Sequence, residues 1–254
     1  SFSDQFDSLN PENGDKIIWV FRIGFLFGLY FDFTGELNAK TALKEMGKSY
    51  NLLYYYDYYL SLEKDKIENL ISRGWFPFIC LRTSQIQYLI EHETEISEKW
   101  LDTNFSNNII EEMTNAWYQH PIFSKKLVPL KEGVDCFLEK KYSASISTLF
   151  PLIEGLIAEA YKEEKGENLG FSDKDIISSV SKHALCKCSE FPKAFPELFQ
   201  EYLKEFIYKH GMNEKNLKTA TRHTTVHGRV EDSAFTQERA VQLILTLEQI
   251  FYYL

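Results

Sequence analysis

Residues 142–166, YSASISTLFPLIEGLIAEAYKEEKG, place Tyr142, Ile146, Leu149, Ile153, Leu156, Ile157 and Ala160 at intervals of three and four. An α-helix turns once in about 3.6 residues, so this spacing gathers them on one face. The stretch reads as a long helix stopped near Gly166, with Pro151 as a kink rather than a break. A second stripe, Ala240, Leu243, Ile244, Leu247, Ile250 and Phe251, puts a closing helix over 236–253. Between them the spacing predicts helices over 172–182, over 196–210 ending at Gly211, and over 213–227 closed by Gly228. Adding 124–140 in front yields a set with the number and lengths of an antiparallel bundle.

Toward the N-terminus the apolar residues also recur at helical spacing, and no alternating run bounded by turn pairs argues for a strand. Helices are expected over 14–31, 39–61, 63–73, 79–96 and 105–118, with breaks at Asn38, at Gly74 to Pro77 and at His120 and Pro121. The expectation is an all-α chain of two domains, an N-terminal helical domain over 1–123 and a helical bundle over 124–254. The cluster YYYDYY at 54–59 reads as interhelical packing.

Composition bounds what such a chain can do. With 44% hydrophobic residues, 12 Gly and 7 Pro in 254 positions, it is neither collagen-like nor disordered. The 28 basic against 37 acidic side chains leave a net charge of −9, so no global pull toward nucleic acid or an anionic membrane exists. Any such binding must be local. Four cysteines do not make a disulfide framework, no signal peptide opens the sequence, and a reducing cytoplasm is the expected setting. The apolar run IIWVFRIGFLFGLYF at 17–31 is shorter than the roughly 20 residues that span a bilayer and carries Arg22 inside it. It reads as a core helix, and no membrane role is expected.

The local exception to the acidity is the segment 213–229, NEKNLKTATRHTTVHGR. From Lys204 to Arg229 there are six basic residues (Lys204, Lys209, Lys215, Lys218, Arg222 and Arg229) against Glu205 and Glu214. Projected on a helix, Leu217, Ala220, Thr221 and Thr224 fall on the side able to pack, and Lys215, Arg222, His223, Val226 and His227 on the other. An imidazole titrates near neutral pH and can take or give a proton. A guanidinium stays charged and offers a planar fork to a phosphate. Together they supply what RNA cleavage requires without a metal: a base or acid for the 2′-hydroxyl and 5′-oxygen, and charge for the transition state. His223 and His227, with Cys186 and Cys188, could also be counted as a zinc set, but one residue between the cysteines is poor geometry for a tetrahedron. Arg222 could equally pair with Glu154 across the bundle, and His227 could satisfy helix-end carbonyls.

The string RHTTVHG, Arg222 to Gly228, resembles the R-x4-H signature of the HEPN superfamily of helical RNA-acting domains. The helices at 142–161 and 235–250 are similar to those flanking that signature, so the resemblance covers about 124–254. Many members carry Asn or Asp after the motif Arg, where this chain has His223. The resemblance implies a metal-independent, cofactor-free endoribonuclease that leaves 2′,3′-cyclic phosphate and 5′-hydroxyl ends. It implies Arg222, His227 and His223 as catalytic residues, Lys215, Lys218 and Arg229 as RNA-binding and Glu154 as support. It further implies a homodimer with a composite site, and a toxin or antiviral abortive-infection role with an antitoxin or regulatory partner. The alternative is a noncatalytic HEPN-like module that binds a nucleotide, RNA or protein.

Overall fold

The computed structural model describes residues 17–23, 27–32, 64–92, 96–166, 177–179, 194–208 and 218–254. The chain divides into two compact units, Ser1–Leu60 and Ser61–Leu254.

In the first unit, β1 (Ile17–Ile23) and β2 (Phe27–Asp32) form an antiparallel hairpin, in register from Ile17 opposite Asp32 to Ile23 opposite Phe27. The register shifts between Trp19 and Phe21. This corrects the helix expected over 14–31. A continuous apolar run has no periodicity to separate a buried helix from a strand, and the density of β-branched and aromatic residues here favours the strand. The helix expected over 39–61, the break at Asn38 and the aromatic cluster at 54–59 lie outside the described residues.

The second unit is helical. Its elements are α1 (Lys64–Ser72), α2 (Thr83–Glu91), α3 (Glu98–Asn104), α4 (Asn107–Asn115), α5 (Leu127–Leu138), α6 (Tyr142–Lys165), α7 (Ala194–Tyr202), α8 (Arg222–Val226) and α9 (Gln237–Tyr253). A π-helical turn, Leu203–Ile207, continues α7. The expected helix over 79–96 ends at Glu91, and Ser97 caps a separate α3 by accepting a hydrogen bond from the Trp100 amide at 3.3 Å. No helix among the described residues is long and apolar enough to cross a membrane.

The α6 helix runs unbroken through Pro151 and ends at Gly166, whose φ of +69° is the left-handed conformation expected of a C-terminal glycine. Its buried face includes Ile146, Leu149, Ile153, Leu156 and Ile157, each 0% exposed. It packs closely on α5 because position 133 is glycine: a Cβ there would lie 2.5 Å from Leu149 Cδ2. Leu149 is fully buried, so it has little room to yield. Gly133→Ala is therefore expected to destabilise the protein by about 1–3 kcal/mol, read as a lowered denaturant midpoint at unchanged slope.

The centre of the unit is α9. Its residues from Arg239 through Leu247 are buried on every side, not along one stripe. A helix covered all round must satisfy its polar side chains internally, and several of the partners come from the segment ahead of α5. Trp75 Nε1 donates to Glu238 Oε1 at 2.6 Å, Trp117 Nε1 to Glu248 Oε2 at 2.6 Å, and the Ile79 amide to Gln249 Oε1 at 2.8 Å. Gln242 Nε2 returns a bond to the Arg73 carbonyl at 3.2 Å. The domain boundary expected at 123/124 thus falls inside one unit. Residues 61–123 help cover α9, which the helices after 124 do not enclose alone.

Gly74 ends α1 with a φ of +81°, its amide bonded to the Ile71 carbonyl and the Trp75 amide to the Leu70 carbonyl. This is the Schellman arrangement. The backbone here presses on the Phe206 ring, which carries Arg239 at 3.7 Å from its centroid.

Candidate functional site

Thr221 begins α8 as its N-cap. Its hydroxyl accepts from the Thr224 amide at 3.2 Å, while Thr224 Oγ1 accepts from the Thr221 amide at 3.0 Å and donates to the Thr219 carbonyl at 3.0 Å. These short side chains give the backbone partners outside a helical ladder, which starts the helix at Arg222. The helix expected over 213–227 is corrected accordingly: residues 218–220 are not helical, and 211–217 lie outside the described residues. At the other end Gly228, with φ +61°, donates to the Thr225 carbonyl at 3.0 Å, and the Arg229 amide to the Thr224 carbonyl at 2.9 Å. His227 is the C-cap of this second Schellman loop.

The ends of α8 decide where the motif side chains go. Ala220, Thr221 and Thr224 are buried, whereas Arg222 and His223 are half-buried and Val226, His227 and Arg229 exposed. The His223 and His227 rings stand 4.6 Å apart between centroids, inclined at 66°. Arg222 Nη2 pairs with Glu154 Oε2 of α6, with the two side chains 32% and 22% exposed. The Arg222 guanidinium also lies 6.0 Å from the centre of the Tyr208 ring. Lys218 is exposed on the approach to α8, and Lys215 lies outside the described residues.

Arg222, His223 and His227 thus share one short, solvent-facing element, with Glu154 fixing the guanidinium from behind. Chemically the set offers a phosphate-binding fork beside two proton-transfer groups. The Glu154 contact is partly exposed, so its energetic weight is modest and its main effect is on where Arg222 points. Glu154→Gln is expected to cost about 1 kcal/mol or less in a thermal unfolding scan.

Arg239 was not expected from its spacing to have a role. It is 4% exposed, donates from Nε to the Ala220 carbonyl at 2.6 Å, from Nη2 to the Phe206 carbonyl at 3.2 Å and from Nη1 to Gln242 Oε1 at 3.3 Å. It therefore clamps the strand of chain entering α8 to the π-helical turn after α7. Burial pushes its guanidinium down to about 9, which still leaves it charged at neutral pH. An Arg at the head of the apolar stripe of α9 is the signal that could have found it, because a charge on a buried face must be bonded.

Among the described residues no group of three or more His, Cys, Asp or Glu side chains is placed to hold a metal ion. Cys186 and Cys188 lie outside those residues. No family model, no curated protein and no solved structure matches the chain.

Proposed function

We propose that the protein is a metal-independent endoribonuclease with Arg222 and His227 at its centre. The observation that carries this reading is the placement of Arg222, His223 and His227 on one short helix, with the two rings 4.6 Å apart and His227 open to solvent. One imidazole takes the proton of the RNA 2′-hydroxyl as that oxygen attacks phosphorus. The bond to the 5′-oxygen breaks, and an imidazolium gives the leaving oxygen its proton. The products are a 2′,3′-cyclic phosphate and a 5′-hydroxyl. Arg222 holds the phosphate and stabilises the charge that grows on it, while Lys218 and Arg229 attract the flanking backbone.

A two-fold related copy would supply the second Arg and His to a composite cleft in a homodimer, as the HEPN resemblance implies. The same resemblance suggests a cytoplasmic toxin or abortive-infection effector, restrained by an antitoxin or regulatory partner. The test is incubation of purified protein with RNA in EDTA, with end-group analysis of the products and a mass measurement of the assembly. Cyclic phosphate ends from a dimer are expected; RNA left intact by a folded dimer would sink the proposal.

The Arg222 pair with Glu154 favours a second reading, a noncatalytic helical module for a nucleotide, RNA or protein, because an intrachain partner already occupies part of the guanidinium. In that case RNA binds without being cut.

A further inference from the structure

We propose that the cavity walled by Lys218, Thr219, Ala220, Ser233 and Arg239 binds a small phosphorylated ligand through its phosphate group. The cavity holds about 260 Å³ and opens beside the segment that leads into α8. That volume lies below the roughly 300–1,000 Å³ of drug-sized sites, so the ligand is of the size of a sugar phosphate, not a polynucleotide strand.

The charge of the wall selects the ligand. Arg73, Lys218 and Arg239 line the cavity against the single carboxylate of Glu238, whose Oε1 already accepts from Trp75 Nε1. The Arg73 guanidinium is turned to Asn69, Leu89 and His92, so Lys218 and Arg239 are the cations that carry the argument, and two cations beside one carboxylate favour an anionic ligand. Arg239 is the decisive group. It is 4% exposed, yet its hydrogen bonds go only to neutral acceptors, the Ala220 and Phe206 carbonyls and the Gln242 amide oxygen, and it forms no ion pair among the described residues. Buried charges are ordinarily paired, and this one is instead held by those three bonds, by stacking on Phe206 and Phe150 and by the Glu238 carboxylate at longer range. Three of its five N–H groups are engaged, so two are left for an oxyanion. Lys218 at the rim is exposed and likewise forms no ion pair among the described residues. The hydroxyls of Thr219 and Ser233 add donors that can turn toward phosphate oxygens.

The test is calorimetric titration of the full chain with ribose 5-phosphate, with inorganic phosphate, and with malonate as a dicarboxylate of equal charge, all at matched ionic strength. Saturable one-site binding of ribose 5-phosphate is expected, with malonate about tenfold weaker or worse. Lys218→Gln, an exposed change that leaves the core intact, is expected to weaken ribose 5-phosphate about tenfold, as the loss of one charged hydrogen bond of about 1.4 kcal/mol would. No saturable binding of either phosphate, malonate binding as tightly, or an unchanged affinity in Lys218→Gln would each overturn the proposal. RNA takes no part in the titration, so its outcome is independent of the nuclease reading.

Discussion

RNA in EDTA is expected to be cut about 10²–10⁴-fold more slowly by His227→Ala than by the wild-type protein, the range that a positioned acid or base contributes. His227 is the cleanest position for this measurement. It is exposed and caps α8 through its backbone, which alanine retains. Folding stability should therefore change by no more than about 0.5 kcal/mol, as for other surface positions. Arg222→Ala would be harder to interpret, because it also strips Glu154 of α6 of its ion-pair partner. A single-turnover assay with both proteins at equal concentration reads the rate directly. Equal rates would remove His227 from the chemistry and leave the module reading in its place.

The largest effect on stability is expected from Gly74→Ala, at about 2–5 kcal/mol, combining left-handed backbone strain with overpacking. A Cβ at Gly74 would lie 1.7 Å from Phe206 Cζ, far inside van der Waals contact. The ring has little freedom to retreat, since Phe206 is 8% exposed and Arg239 stacks on it at 3.7 Å. Gly166→Ala separates the two contributions. Gly166 has a similar φ of +69° but nothing within 4 Å of its Cβ direction, so that change should cost only about 1–2 kcal/mol, the strain alone. Denaturant titrations of both variants measure the difference. Equal losses would show that Phe206 accommodates the added methyl group. Because Phe206, Arg239 and Ala220 form one connected set, a displaced ring at position 206 should also loosen the entry to α8.

The long helix α6 was legible down to its terminal glycine, because its stripe, its polar face and Gly166 all act locally. The same holds for the span of α9 and the Thr236 cap, which accepts from the Arg239 amide at 3.1 Å. The hairpin of β1 and β2 was not legible, since a run that is apolar at nearly every position carries neither helical nor strand periodicity. The motif was visible as a string, with its packing and open sides, but not its local start: the paired threonines begin α8 at Arg222 and leave 218–220 outside the helix, while Gly228 closes it after Val226. Arg239 shows the limit most directly, as one of six arginines by composition and the buried clamp behind the motif in the fold.

By itself the sequence determined the mostly helical character of the second unit, the positions of its two central helices and the one basic stretch in an acidic chain. Each depends on residues within a few turns of one another, where spacing and capping act directly. Only the tertiary structure decided that residues 61–123 belong to the same unit as the rest, and it selected the Arg222 pair with Glu154 from the alternatives that the sequence left open. It alone set a cation of α9 beneath the entry to α8. The contacts of α9 join positions from about 19 to 170 residues apart, and they arise because α9 is covered on every side and its buried polar groups must find partners from distant segments.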